Sequence, residues 1–196
     1  GAIVTALTET AGLIGLVSRH TDSRGVLLEP FHTLQLEYAR GPGELSRLRN
    51  AAIATARTRL WTNRATLEVA GTLCRWIRGY APPHEPAPDL FADLECALDH
   101  LEQSATLEPQ VSVSTRARVV LTAFGLVLLE RVGLGLHPAH CARCGKPRPA
   151  RKRAWVEERE GVVCERCLAA AELRTTGQQG AVRLLSGALL DRLEQP

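Results

Sequence analysis

The chain has 196 residues, of which 45% are apolar, with 24 Lys and Arg against 21 Asp and Glu. This length and apolar content suffice for a buried core and exclude a disordered or fibrous protein. The formal net charge of +3 excludes a uniformly basic surface, so any affinity for nucleic acid must come from local clusters of Arg.

Short β-prone runs separated by turn signals make up the first part of the chain. Two such runs cover residues 2–8 and 13–19. Two more cover residues 33–40, which alternate apolar with polar side chains, and residues 44–53, which follow a Gly-Pro-Gly turn. Closely spaced antiparallel strands of this kind predict a small barrel over residues 1–58, with the OB fold as the candidate.

From Leu60 the apolar residues recur at helical spacing instead. A first helix is predicted from there to Tyr80, because the proline-rich stretch 82–88 stops it. A second helix over residues 90–101 has one apolar face and one acidic face. These helices predict a helical domain over residues 59–140.

A third predicted helix runs from Arg116 to about Arg131, with Ser114 or Thr115 as candidate N-cap. It is apolar on most sides, which is typical of the central helix of a helical core. Its apolar stretch, residues 119–129, is too short to span a bilayer, and the first residues do not resemble a signal peptide. We therefore expect a soluble protein with no membrane partner.

Two Cys-x-x-Cys pairs form the strongest motif of the chain. The four residues are Cys141, Cys144, Cys164 and Cys167. Four thiolates at this spacing are typical of a structural zinc site, in which each pair holds one side of the metal and the residues between the pairs form a hairpin. The alternatives are two disulfides, two redox pairs, or iron in place of zinc. We expect Zn²⁺ as the cofactor, held by a module over residues 141–168.

The other Cys and His residues give weaker signals. Cys74 and Cys96 lie among apolar residues at helical spacing, which favours buried free thiols and a reducing compartment, the cytoplasm. His137 or His140 could replace one thiolate ligand, since both stand just before Cys141. The sequence shows no triad spacing and no Gly-rich phosphate loop, so we expect neither an enzyme nor a small-molecule substrate.

Six cations without an intervening acid follow the first cysteine pair. They are Arg143, Lys146, Arg148, Arg151, Lys152 and Arg153. Such a cluster predicts contacts with DNA phosphates, and the alternative is a hairpin kept soluble by its charge. Trp155 could stack on a base beside this cluster or pack on the hairpin. Residues 169–196 predict a C-terminal helical segment, with a helix over 184–193, that packs on the helical domain.

Three pieces of sequence have a familiar order. They are Glu29-Pro30-Phe31 before the third strand, the turn from Gly41 to Leu45, and the run of Leu128, Leu129, Gly133 and Gly135 that leads into the cysteines. In these pieces the chain resembles the RecO family of bacterial recombination mediators. The resemblance implies an α+β fold with an N-terminal OB-like β-barrel, followed by an α-helical domain carrying a four-cysteine zinc module. It also implies binding of single- and double-stranded DNA, annealing of complementary strands, and loading of RecA together with RecR and single-strand binding protein.

The resemblance also implies a partner site on the central helix. Members of the family often carry an Arg just before the Phe at the position of Phe124, in a pocket for the acidic tail of single-strand binding protein. Ala123 stands there in this chain, so Arg116 or Arg118 would take that role. The basic loop that usually follows the second strand is reduced here to residues 20–24.

An OB barrel binds nucleic acid on one face of its second and third strands and on its loops. On this surface we predict that Tyr38 and five basic residues contact DNA. The basic residues are Arg19, Arg24, Arg40, Arg47 and Arg49. Arg57, Arg59 and Arg64 continue a basic stripe toward the first helix. For each of them the alternative is an exposed charge on a solvated face.

Two further functions compete with that of a cytoplasmic, nucleoid-associated DNA-repair protein. One is a thiol switch, in which oxidation of the cysteine pairs ejects zinc. The other is a structural adaptor that holds a partner peptide in a helical groove.

Overall fold

The computed structural model describes residues 2–18, 28–41, 43–106, 110–135, 139–147, 154–157, 161–167 and 182–185. The chain divides into two compact units, Gly1–Val132 and Gly133–Pro196. The first unit holds a sheet followed by helices, and the second holds a small sheet and the four cysteines.

Four strands form the sheet of the first unit. They are β1 (Ala2–Thr8), β2 (Gly12–Ser18), β3 (Thr33–Ala39) and β4 (Leu45–Thr55), in the order β1-β2-β4-β3. The predicted strands are therefore present, with ends that differ by one or two residues. The prediction of purely antiparallel pairing is wrong. Strand β4 lies between β2 and β3 and runs parallel to β2. The chain between β2 and β3 is long enough to carry β3 to the outer edge.

One face of this sheet is buried. Ile14 and Leu16 of β2 and Leu48 and Ala51 of β4 form its core, and Tyr38 of β3 packs against them. Alternation places every second residue of β2 on this face, so Gly12, Ile14, Leu16 and Ser18 are all buried. Apolar side chains at this period set the register, because a slip of one residue would turn them all outward.

The helical part begins with a short 3₁₀ helix, Arg59–Thr62, and continues as α1 (Arg64–Tyr80), α2 (Pro88–Ser104) and α3 (Gln110–Arg131). The Asn63 side chain accepts a hydrogen bond from the backbone N–H of Ala65 at 2.9 Å and caps α1. The three helices share one apolar core. Its fully or nearly fully buried members include Leu60, Leu73, Ile77, Leu98, Leu101, Ala117, Phe124 and Leu128.

Helix α3 differs from its prediction in two ways. It begins at Gln110 rather than Arg116, so Ser114 and Thr115 lie inside it and are not caps. It is also buried on one face only, since Val119 on the other face is 62% exposed. By length and composition residues Ser112–Arg131 could cross a membrane, with a mean hydropathy of 1.4 and 22% of this stretch buried. Its buried residues pack into the helical core.

The acidic face of α2 is engaged by other elements rather than simply solvated. Arg131 of α3 pairs with Asp89 and Asp93, each at 3.0 Å. The Glu102 carboxylate accepts hydrogen bonds from the backbone N–H groups of Arg59 and Leu60 at 3.1 and 3.0 Å, which satisfies the first donors of the 3₁₀ helix. Asp89, Asp93 and Glu102 therefore hold α2 in place.

Arg57, which the sequence placed in an exposed basic stripe, is buried, with 1% of its surface exposed. Its guanidinium pairs with Asp99 at 2.7 Å and with Glu95 at 3.2 Å, both on α2. The same group donates to the carbonyl of Phe31 at 3.0 Å and to the hydroxyl of Thr33 at 2.9 Å. It thereby holds Phe31, whose φ of 75° is unfavourable for a residue with a side chain.

The proline-rich stretch after α1 is bonded to the turn between β1 and β2. Leu13 donates to the carbonyl of Pro82 at 3.1 Å, and Ala87 donates to the carbonyl of Glu9 at 3.1 Å. Gly12 makes this approach possible, since its φ is +59° and a Cβ there would stand 2.1 Å from the carbonyl oxygen of Glu85. This stretch is thus a docked segment of the first unit.

The second unit contains an antiparallel sheet of β5 (Ala154–Glu157), β6 (Gly161–Val163) and β7 (Val182–Leu185), in the order β6-β5-β7. Strands β5 and β6 form the hairpin predicted between the two cysteine pairs. The predicted helix over 184–193 is wrong at its start, because residues 184 and 185 belong to β7 and pair with β5. The rest of that range lies outside the described residues.

Candidate metal centre and surface groups

The four predicted ligands come together in the second unit. The Sγ atoms of Cys141, Cys144, Cys164 and Cys167 all lie within 4.8 Å of one another, a spacing that can hold a metal ion. The Sγ atoms of Cys144 and Cys164, one from each pair, are 3.9 Å apart. The centre is therefore built from both motifs, as a single shared site requires.

Tight turns place the two sulfurs of each pair. Gly145 donates to the carbonyl of Cys141 at 2.9 Å, and Cys141 donates to the carbonyl of Lys146 at 3.0 Å. Gly145 has a φ of +67°, which glycine adopts readily, so the chain can turn directly after Cys144. In the second pair, Cys167 donates to the carbonyl of Cys164 at 3.0 Å. Each turn directs both of its cysteines toward the same point.

Hydrogen bonds join the segment of one motif to that of the other. Ala142 donates its backbone N–H to the carbonyl of Val162 at 2.9 Å. The guanidinium of Arg143 donates to the carbonyl of Cys167 at 3.3 Å. The backbone of both motifs is thus held in register beside the sulfurs.

The electrostatics of the cluster suit a cation. Burial opposes ionisation of Cys141, but the backbone N–H groups of Cys164, Cys144 and Arg143 offset it and lower the pKa of Cys141 to about 6. Hydrogen bonds with the thiols of Cys164 and Cys144 raise the pKa of Cys167 to about 12. Thus one thiolate is favoured and a further one is strongly disfavoured. Four thiolates can coexist here only around a positive ion.

The predicted basic residues near the metal centre are mostly outside the described part of the chain. This holds for Arg148, Arg151, Lys152 and Arg153. Lys146 and Arg143 are described, and both are exposed. His140 is also described and contributes no atom to the cluster of four sulfurs, whereas His137 lies outside the described residues.

Three of the five arginines predicted to contact DNA lie in or next to the four-stranded sheet, within the described residues. Arg40, Arg47 and Arg49 are exposed, whereas Arg19 and Arg24 lie outside the described residues. Arg47 stands in a row that crosses the sheet, Ile3–Val17–Arg47–Ala39, whose paired members point to the same side. Tyr38 points to the other face and packs against the buried core of the sheet, so it is not beside these arginines.

Arg49 occupies a β-bulge. Glu37 pairs with Asn50 and Tyr38 pairs with Leu48, so Arg49 is the additional residue of β4 at that point. A bulge redirects a side chain and raises the local twist of the strand. Burial alternates regularly along β4 as far as Arg49, and nothing in the sequence analysis indicated this irregularity.

A groove of about 700 Å³ lies between α2 and α3. Its lining is mostly apolar, with Val119, Val120, Ala123, Phe124 and Val127 from α3 and Ala97 from α2. Arg116 lies at this groove, and Arg118 is exposed but does not line it. The structure therefore separates two residues between which the sequence could not choose.

The groove also changes the interpretation of the two remaining cysteines. Cys96, predicted to be buried, is exposed and lines the groove. Cys74 is partly buried, and that burial raises the pKa of its thiol. Helix α3 has more apolar residues than one buried face can hold, and two of them, Val119 and Val127, are exposed. This excess was the signal in the sequence that could have indicated a groove.

Comparison with known proteins agrees with this arrangement. Residues 62–195 match the family model described as Recombination protein O C terminal. The DNA repair protein RecO of Methylococcus capsulatus is 30% identical over 129 residues, which cover 64% of this chain and 48% of the relative. The chain thus spans about half the length of that relative. Because the family model covers the three helices and all four clustered cysteines, the chain belongs to the RecO family.

Proposed function

We propose that this chain is a DNA-binding recombination mediator of DNA repair. In this proposal it binds single- and double-stranded DNA, anneals complementary strands, and assists the loading of RecA together with RecR and single-strand binding protein. The observation that carries the proposal is the family match over residues 62–195. The related protein of Methylococcus capsulatus bears the name of a DNA repair protein, which agrees with such a role.

The sheet is the proposed DNA surface, and we infer that its four strands belong to an OB-type barrel. Such barrels bind single strands by combining a cationic track for phosphates with surfaces that contact the bases. The exposed face supplies both, since Arg47 shares a row with Ile3 and follows Leu45 by two positions on β4, and Ile3 and Leu45 are 67% and 43% exposed. Arg40 follows Ala39, the partner of Arg47 on β3, and extends the cationic track.

The groove between α2 and α3 is the proposed site for the acidic tail of single-strand binding protein. Its apolar lining would take apolar side chains, and Arg116 would pair with a carboxylate at the rim. Asp93 lines the same groove but is paired with Arg131 at 3.0 Å, which reduces its repulsion of an acidic peptide. Arg116 is therefore the residue that favours an acidic ligand.

Zinc is the proposed metal, because it prefers four thiolates in tetrahedral arrangement. Zn–S bonds of about 2.3 Å place tetrahedral sulfurs about 3.8 Å apart. The distance of 3.9 Å between the sulfurs of Cys144 and Cys164 fits this value. With four protein ligands the ion would have no open position, so it would supply folding energy rather than reactivity.

We further propose that this chain is not an enzyme and that it acts in the cytoplasm, in association with the nucleoid. Its partners are DNA and proteins, with no membrane and no small-molecule substrate. The surfaces proposed above need only phosphate contacts, base contacts and peptide contacts, none of which requires a bond to be made or broken.

A strand-annealing experiment tests the function. Two complementary oligonucleotides, one with a donor dye and one with an acceptor dye, are mixed with the chain, with and without single-strand binding protein. We expect faster annealing than in the absence of the chain, both for bare strands and for strands covered by single-strand binding protein. Annealing at the protein-free rate, by a chain that is folded and holds its metal, would contradict the proposal.

A further inference from the structure

The metal ligands are themselves the core of the metal module. The buried cluster there consists of Cys141 and Val163, with Cys164 and Cys167 packed against them. Among the described residues of this unit, Val162 is the other buried apolar residue, so the geometry of the described turns depends largely on the four sulfurs. A reaction that consumes two of the sulfurs would therefore remove the metal that this small cluster surrounds.

The four sulfurs differ in their access to solvent and in their hydrogen bonds. Cys141 is 4% exposed, and its Sγ accepts the backbone N–H of Cys164 at 3.3 Å. Cys144 is exposed, and its Sγ lies 3.9 Å from the Sγ of Cys164 in the other motif. An oxidant dissolved in water thus reaches Cys144 most easily, and a thiol of the other motif lies within reach of it.

We propose that the module is an oxidation switch, in which hydroperoxides join Cys144 to Cys164 and release the metal. This inference rests on the zinc site proposed above and adds a regulatory role to it. The Cys144 sulfur attacks one oxygen of the peroxide, becomes a sulfenic acid and releases hydroxide. The Cys164 sulfur then attacks Sγ of Cys144, forms the disulfide and expels a second hydroxide.

The reaction balances without any further component. Two thiolates lose two electrons in total, and one hydrogen peroxide gains them. Two protons from solvent convert the two hydroxides to water, so one disulfide, two waters and one Zn²⁺ are the products. The two sulfurs must approach from 3.9 Å to the S–S bond length of about 2.0 Å, a shift that exposed turns can make.

Loss of the ion would leave Cys141 and Cys167 as thiols without a metal. The new disulfide would link the turn after Cys144 to the turn at Cys164. The arrangement of sulfurs around the metal, to which Cys141 belongs, would be lost. Arg143, which donates to the carbonyl of Cys167, would change its surroundings in the same event. The switch would therefore alter the module that carries the predicted phosphate-binding cations.

Trypsin can report the connectivity directly. Arg143 separates Cys141 from Cys144, and Arg166 separates Cys164 from Cys167, so the four cysteines fall in four different peptides. The zinc-loaded full chain is treated with increasing hydrogen peroxide while a chromogenic chelator reports released zinc. Thiols are then blocked, and the unreduced digest is analysed by mass spectrometry. We expect zinc release to rise together with the peptide pair that contains Cys144 and Cys164.

Two variants complete the experiment. Cys144→His can keep a zinc ligand but cannot form the disulfide, so it should hold zinc and release it several-fold more slowly with peroxide. Cys74→Ser removes a thiol that lies outside both the module and the groove, and it should release zinc with peroxide as the parent chain does. If Cys144→His fails to hold zinc, the peptide map of the parent chain alone decides between the outcomes.

The outcomes are distinguishable. A parent chain that carries no zinc before oxidation would overturn the zinc assignment and this inference with it. A zinc-loaded chain that keeps its metal under peroxide, or that links Cys141 to Cys144 instead, would overturn only the switch. Equal zinc release by a zinc-loaded Cys144→His variant would also overturn it.

Discussion

Arg57 Nε donates a hydrogen bond of 2.7 Å to Asp99 Oδ1, and this contact joins the end of the sheet to helix α2. The opposite side of α2 lines the groove, through residues such as Ala97 and His100. One helix therefore carries the anchor of the sheet on one side and the proposed partner site on the other. The same acids that appear solvent-exposed in the sequence determine where that helix lies.

Replacement of Arg57 by Met should destabilise the first unit by about 2–4 kcal/mol, because Glu95 and Asp99 lose their counter-charge and the carbonyl of Phe31 loses a donor. Both carboxylates keep partial contact with water, which limits the loss. Urea denaturation followed by circular dichroism measures it. As a control, Arg64→Ala removes a pair that is exposed on both sides and should leave the midpoint unchanged. Equal midpoints for Arg57→Met and the parent would contradict the role of this network.

Replacement of Cys144 or Cys164 by Ser should abolish stoichiometric zinc and lower the melting temperature and solubility, because four ligands close the module. DNA binding should fall only as a consequence. Elemental analysis of the purified chain should give one zinc per chain before the change. A variant that kept its melting temperature and lost only DNA binding would show that the module contacts DNA rather than acting as scaffold.

Replacement of Arg40, Arg47 and Arg49 together by Ala should weaken binding to single strands of unrelated sequence about equally. Up to three lost phosphate contacts should reduce the slope of log affinity against log salt by up to about 2, at roughly 0.7 per contact. Fluorescence anisotropy with labelled oligonucleotides at several salt concentrations measures both quantities. A variant with Arg75→Ala and Arg78→Ala, which removes exposed cations from α1, is the control for net charge and should change little.

The basic cluster beside the metal centre makes a parallel prediction. Replacement of Arg148, Arg151 and Arg153 by Ala should also lower affinity and slope without loss of zinc, because none of the three is among the four clustered ligands. The same salt titration measures it. Unchanged affinity and slope in a folded, zinc-loaded variant would assign the phosphate contacts to the sheet alone.

The groove predicts a difference between two neighbouring arginines. Arg116→Ala should weaken binding of the acidic C-terminal peptide of single-strand binding protein, whereas Arg118→Ala should not, because only Arg116 lines the groove. Conversely, Ala123→Arg should tighten binding, since it adds a cation to the lining at a position where the family often has one. Calorimetric titration of the peptide measures all three variants. Equal losses from Arg116→Ala and Arg118→Ala would contradict the assignment.

Local sequence patterns were enough to predict the four strands of the first unit and its helices α1 and α2. A β-prone run located β2, period-two alternation located β3, and helical spacing located α1 and α2. The spacing of the four cysteines predicted their convergence, because a short motif leaves few ways to place two sulfurs around one ion.

Features that depend on distant partners could not be predicted. The burial of Arg57 requires acids on α2 that are far away in sequence, and nothing near Arg57 indicates them. The exposure of Cys96 depends on how far α3 stands from α2. The start of α3 was misplaced because Ser114 and Thr115 are good caps, yet the residues before them also support a helix.

The contact between the β1–β2 turn and the segment after α1 also determines when the first unit can finish folding during synthesis. Chains leave the ribosome from their N-terminus, so Leu13 and Glu9 emerge long before Pro82 and Ala87, their hydrogen-bonding partners. Until α1 has been synthesised and has turned back, the amide of Leu13 has only water as its partner. The nascent sheet thus remains incomplete through the synthesis of α1, and ribosome-bound chains halted before Pro82 has left the exit tunnel should bind chaperones more than chains halted after Ala87 has left it.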